Sequence, residues 1–117
     1  MKRILIAEDD PVTRKILATV LSGVYEVIEA VDGEEALQHA DSVDLILCDY
    51  NMPKLNGMEV FEKMPNKKIP FIMLTVEGDE KKKTHGKDVG LSGWITKPFA
   101  PNFILERVEK VFKNKDI

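Results

Sequence analysis

Apolar positions along this chain follow two alternating rhythms. Arg3-Ile4-Leu5-Ile6-Ala7, Asp44-Leu45-Ile46-Leu47-Cys48-Asp49 and Pro70-Phe71-Ile72-Met73-Leu74-Thr75 are nearly unbroken apolar runs, too short for helices, and read as buried strands. Tyr25-Glu26-Val27-Ile28-Glu29 mixes glutamates with apolar residues, as an edge strand does, and Gly93-Trp94-Ile95-Thr96-Lys97 is a short strand stopped by Pro98. Between the strands the spacing turns helical. Asp10 is an N-cap with Pro11 at the first helical position, and Val12, Ile16, Leu17, Val20 and Leu21 recur on one face until Gly23. Asp32-Gly33 turns the chain into a short helix with Glu34 and Glu35 in its first turn, where acids suit the dipole. Pro53 and Asn56-Gly57 mark a loop, Val60, Phe61 and Met64 form the inner face of the next helix, and Pro65-Asn66 ends it. Pro101 opens a last helix with Ile104, Val108, Val111 and Phe112 inside. Segment 79–89 is predicted helical but weak, because it has almost no apolar face and Gly86 costs about 1 kcal/mol relative to alanine.

Five strands alternating with five helices predict an α/β fold, a doubly wound five-stranded parallel sheet with right-handed crossovers and helices on both faces. The first, third and fourth strands are uniformly apolar and belong in the middle; the second and fifth belong at the edges. Strand order 2-1-3-4-5, as in flavodoxin, satisfies this. Its switch point lies between strands 1 and 3, at the tips carrying Glu8-Asp9 and Asp49.

Length and charge narrow the function. The 117 residues suit one domain, 1–117, and a net charge of −3 is not the basic footprint of a nucleic-acid binder. Cys48 is the single cysteine, so no internal disulfide forms, and its place in an apolar strand suits a small core residue. No charged-then-apolar leader opens the chain, and no apolar run approaches the ~20 residues of a membrane span. A cytoplasmic location is expected.

The strand tips carry the chemistry. Strand 1 delivers Glu8 and Asp9, strand 3 Asp49, strand 4 Thr75 and strand 5 Lys97. Three carboxylates packed together repel unless a proton or a cation neutralises them, and hard oxygen donors at a mouth open to water favour Mg²⁺. A metal there would hold a phosphoryl group against Asp49, with Lys97 as a second cation and Thr75 as a hydroxyl donor. Carboxylates that form aspartyl-phosphates are an established class of nucleophile, and phosphoryl transfer asks mainly for alignment and charge neutralisation.

Glu8-Asp9, Asp49-Tyr50-Asn51-Met52-Pro53 with Gly57, Thr75, and Lys97-Pro98-Phe99, in that order and each after a strand, resemble the receiver (CheY-like) domain of two-component response regulators. The resemblance spans nearly the whole chain. It implies that Asp49 is the phospho-acceptor and ligates Mg²⁺ with Asp9, with Glu8 acting through a metal-bound water and Asn51 through its backbone carbonyl. Lys97 would contact the phosphoryl group, Thr75 would swing toward it, and Trp94 would be the aromatic switch residue that follows. Asn51 and Glu77 would tune the hydrolysis of the phosphoryl group. The donor would be a phosphohistidine on a sensor histidine kinase or phosphotransfer protein. A downstream protein target would dock on the face formed by the segment 79–89, the fifth strand and the last helix, with the protein a monomer or a phosphorylation-dependent dimer. Glu8 stands where aspartate is commoner, and Trp94 where tyrosine or phenylalanine is usual.

Plainer roles compete at several positions. Asp10 is a helix cap, His39 and His85 sit without ligand spacing, Met52, Met58, Met64 and Met73 suit packing, and Lys81-Lys82-Lys83 a solvated face. The expectation is a stand-alone phosphorylation-controlled binding module rather than an enzyme, its weak segment 79–89 shifting population when Asp49 is modified. The alternatives are a receiver cut from a larger regulator or hybrid kinase, and an aspartate-nucleophile phosphatase. The phosphatase would want a second acid where Asn51 stands, and a flavodoxin-type site would not place Glu8-Asp9-Asp10 against phosphate.

Overall fold

The computed structural model describes residues 1–76 and 90–115. Segment 79–89, with the helix and the weakness expected of it, lies outside the described residues, as do Glu77 and His85. Five strands form one all-parallel sheet: β1 (Arg3–Ala7), β2 (Glu26–Ala30), β3 (Leu45–Asp49), β4 (Phe71–Val76) and β5 (Gly93–Lys97). Their order is β2-β1-β3-β4-β5, as expected from the sequence. The helices among the described residues are α1 (Pro11–Ser22), α2 (Gly33–His39), α3 (Gly57–Lys63) and α4 (Pro101–Lys115). None of them is long and apolar enough to cross a membrane.

The sheet divides the core in two. Leu5, Ala7, Ile46, Cys48, Phe71 and Met73 face α2 and α3, whereas Ile4, Ile6, Leu45, Leu47, Ile72 and Leu74 face α1 and α4. All of β3 is buried, while β2 and β5 are half-exposed edges. Cys48 is fully buried, and that burial, with Asp49 and Glu8 nearby, pushes its thiol up, so it packs as a small apolar group.

Capping explains why the helices start where they do. The side chains of Asp10, Asp32 and Asn56 each accept from a backbone N–H in the first turn, and Asn56 closes a capping box with Glu59. Val60, Phe61 and Met64 are buried under α3, and Ile104, Val108 and Phe112 under α4, as their spacing predicted.

The first helix departs from expectation. Leu17 and Leu21 are buried, but Val12 is 66% and Ile16 42% exposed, so only the Leu17–Leu21 side of the apolar stripe faces the sheet. Val12 and Ile16 instead line an open groove with Pro101 at the start of α4. Helical spacing marks an apolar stripe; which edge of it reaches the sheet depends on how α1 lies against α4.

Candidate functional site

Parallel register aligns the C-terminal ends of four neighbouring strands. Ala7 is opposite Cys48, Asp49 opposite Leu74, and Val76 opposite Lys97. Glu8, Asp49, Thr75 and Lys97 therefore emerge at one edge of the sheet, at its switch point. Glu8 is fully buried, Asp49 is 5% and Thr75 2% exposed, and Asp9 faces solvent. Carboxylate oxygens of Glu8, Asp9 and Asp49 all lie within 4.8 Å of one another.

The repulsion anticipated among these acids is met by a residue from the far end of the chain. Lys97 Nζ donates to Glu8 Oε1 at 2.7 Å and lies 3.2 Å from Asp49 Oδ2, one ammonium between two buried carboxylates. Burial pushes the Glu8 carboxyl up, opposed by the Lys97 hydrogen bond and reinforced by Asp49. Asp9 is also raised, by desolvation and by its hydrogen bond with Glu8 and the charge on it. Burial pulls Lys97 down, but the Glu8 hydrogen bond and the two negative charges outweigh it and carry the ammonium above its ordinary value. Both shifts on the Lys97–Glu8 pair reflect one trade of desolvation against attraction.

The loop after β3 is held tightly. Tyr50 N–H donates to Leu74 O at 2.7 Å and Gly57 N–H to Tyr50 O at 2.8 Å. A side chain at Gly57 would come within 2.5 Å of Met73 Sδ and 2.6 Å of the Asp49 carbonyl, so only glycine lets α3 start this close to the acid. Lys54 occupies the left-handed region at φ 71° and pairs with Asp32 and Glu34 at 3.5 Å each, fastening the loop to the start of α2. Asn51 sits exposed on this loop, two residues beyond Asp49.

Thr75 and Trp94 share a sheet face. Thr75 is opposite Thr96 and Met73 opposite Trp94, so Trp94 lies diagonally across from Thr75 on the α2–α3 side. Among the described residues, the Thr75 Oγ1 is the one buried side-chain polar atom without a hydrogen-bond partner. The Lys97–Pro98 peptide is cis.

Glu8, Asp9, Asp49 and Lys97 thus meet directly, Thr75 ends the adjoining strand, and Trp94 is packed behind it. Three hard oxygen donors around a mouth with one solvent-facing member suit a small divalent cation that retains water. Sequence inspection passed over Arg14, whose guanidinium donates to the Glu8 carbonyl at 2.8 Å. Its only signal was a cation one turn beyond the Asp10 cap.

Comparison with known proteins decides the family. The model of the response regulator receiver domain matches residues 4–109. The chain belongs to this family. The alkaline phosphatase synthesis transcriptional regulatory protein PhoP of Bacillus subtilis is 38% identical, covering 99% of this chain and 50% of its own length. Chemotaxis protein CheY1 of Helicobacter pylori is 32% identical over 97% of this chain and 99% of its own. The crystal structure of chemotaxis response regulator CheY4 of Vibrio cholerae superposes with a TM-score of 0.85 at 36% identity, covering 95% of this chain and 98% of that one. A CheY-like receiver from Methanospirillum hungatei reaches 0.92 at 26% identity, covering 99% of this chain and 97% of that one. This receiver spans about half the length of several curated relatives, PhoP and the probable transcriptional regulator ycf27 of Guillardia theta among them. Receiver domains are switch proteins of two-component signalling that typically use a metal at an acidic pocket, and Glu8, Asp9 and Asp49 form an acidic group that could hold one.

Proposed function

We propose that this receiver accepts a phosphoryl group on Asp49 from a phosphohistidine and thereby switches its binding to a partner. One observation carries the reading: a nearly buried carboxylate at the switch point, with an ammonium at 3.2 Å and two further carboxylates within 4.8 Å. In the transfer, an Asp49 oxygen forms a bond to phosphorus as the phosphorus–nitrogen bond of the donor breaks, and the bond's electrons leave with the imidazole, which takes up a proton. Asp9 and Asp49 would hold Mg²⁺ together with the Asn51 carbonyl, and Glu8 through a water. When bound, the metal supplies positive charge against the phosphoryl oxygens. Lys97 is already poised to move from its two carboxylates toward an incoming phosphoryl oxygen, and Thr75 offers a hydroxyl from the next tip. Asn51 and Glu77 tune how fast water then removes the phosphoryl group from Asp49. The protein catalyses only its own phosphorylation and dephosphorylation.

A groove lined by Ile16, Val76, Phe99 and Pro101 has Lys97 in its wall and gives a protein donor surface to rest on. On the output side, Trp94, Phe99, Phe103 and Arg107 line a second groove along β5 and α4, where the downstream target would dock. The reading covers residues 1–117 as one receiver acting in the cytoplasm. A second reading, favoured by the half-length coverage of transcriptional regulators, is that the same switch drives the output domain of a longer chain.

Incubation with acetyl phosphate and Mg²⁺, followed by intact-mass measurement, tests the reaction. The parent gains one phosphoryl group and Asp49→Asn gains none; an unmodified parent, or an Asp49→Asn variant labelled equally, overturns the proposal.

A further inference from the structure

Arg14 belongs to none of the strand tips, yet it grips the acid loop. From the second turn of α1 its Nη1 donates to the Glu8 carbonyl at 2.8 Å, and its Nε pairs with Glu29 Oε1 at 3.2 Å. Its side chain is 18% exposed, against 49% for Glu29. The Glu8 N–H donates in turn to Ala30 O at 3.1 Å. Residue 8 is therefore tied to the end of β2 twice, directly through Ala30 and through the guanidinium to Glu29. The next residue is Asp9, and the peptide that Arg14 grips is the one joining the two acids.

An exposed ion pair such as Arg14–Glu29 contributes little by itself. The informative contact is the one to the backbone carbonyl, because it fixes the turn between β1 and α1 and not merely a side chain. A planar guanidinium can serve a carbonyl and a carboxylate from separate nitrogens at once; a lysine ammonium in the same place has no such fork.

We propose that Arg14 is a positioning residue for the acidic pocket. By clamping the Glu8 carbonyl against the Glu29 carboxylate, it sets the separation of Asp9 from Asp49 and hence the affinity for a divalent cation. This inference rests on the phosphoryl-acceptor reading above. Residues that orient metal ligands from behind them typically matter tenfold or more in affinity.

The test is calorimetric titration with Mg²⁺, without phosphodonor, alongside thermal melting. Arg14→Met keeps the stem and loses both bonds, so Mg²⁺ binding weakens by about tenfold, and Arg14→Lys weakens it by about threefold. Val108→Ala, in the α4 side of the core, is the reference: it lowers the melting temperature and leaves Mg²⁺ affinity within about twofold of the parent. Arg14→Met affinity within about twofold of the parent overturns the proposal. If Arg14→Met does not fold, Arg14→Lys decides by the same limit. A parent that takes up phosphoryl groups and binds Mg²⁺, with variants that bind it equally well, removes only Arg14's role; a parent that does neither removes both readings.

Discussion

Replacing Lys97 by methionine removes the charge and keeps most of the stem, leaving Glu8, fully buried, and Asp49 facing each other without a cation. Breaking a buried ion pair from one side costs about 3–5 kcal/mol, because the partner's charge stays behind unpaired. Two features lower that figure here. The Lys97 side chain is 23% exposed, so water already shares in its solvation. Glu8 can also take up a proton rather than remain charged. The expected cost at neutral pH is then about 2–3 kcal/mol, just below that range. In a domain of this size that lowers the melting temperature by roughly 8–12 °C.

The pH dependence follows from the direction of the shifts. Lys97 is raised on folding, so in the parent its contribution is fully present below the ordinary lysine value near ~10.4 and is lost as pH rises through the higher folded value. In the variant, Glu8 loses the hydrogen bond that opposed its upward shift, so its folded value rises further above the ordinary ~4.3. The folded variant then binds a proton that the unfolded chain releases, and its stability falls as pH rises through that window. The gap between parent and variant is therefore wide at pH 7 and closes toward pH 4. Removing both partners, in Glu8→Gln with Lys97→Met, returns part of the loss, since the fully buried carboxylate is gone and only Asp49 is left without its cation. Urea denaturation of the four proteins of this cycle gives the coupling. Additive losses, or a Lys97→Met variant as stable as the parent at pH 7, refute the assignment of Lys97 as the pocket's internal counter-ion.

Three other outcomes are expected. Gly57→Ala drives a methyl into Met73 Sδ and the Asp49 carbonyl and costs about 1–3 kcal/mol, read as a lower urea midpoint. Lys67 Nζ donates to the carbonyls of Phe61, Glu62 and Met64 at the end of α3, so Lys67→Ala lowers stability by about 1 kcal/mol in the same assay while phosphoryl uptake stays at the parent rate. Asp32 is held below its ordinary value by the Glu35 N–H and by Lys54, so its charge stabilises the fold above the ordinary aspartate value near ~3.9 and ceases to as pH falls through the depressed one. Asp32→Asn, which still caps α2, therefore melts below the parent at pH 7, by a gap that narrows as the pH falls through the depressed value; equal melting at pH 7 counts against that charge mattering.

Much of this molecule was legible along the chain because the relevant physics is local or set by a single face. A strand buried on both sides has to be apolar throughout, so the runs at residues 3–7, 44–49 and 70–75 marked the central strands, and the glutamates of 26 and 29 marked an edge. Sheet order followed, and with it the edge where Glu8, Asp49, Thr75 and Lys97 emerge. The cap at Asp10 acts within one turn and was legible along the chain, whereas Asp32 and Asn56 read there only as a turn and a loop and prove to be caps in the fold. What the linear chain left open is which groups satisfy one another across the fold. The exposure of Val12 and Ile16 depends on how α1 lies beside α4 on their shared face of the sheet. The glutamate at position 8, one methylene longer than aspartate, reaches Lys97 eighty-nine residues away, and Arg14 reaches back over the turn to the Glu8 carbonyl. Periodicity carries burial, since burial is a property of one element's face; a hydrogen bond between distant side chains depends on ångström-scale placement of two elements, which packing alone supplies.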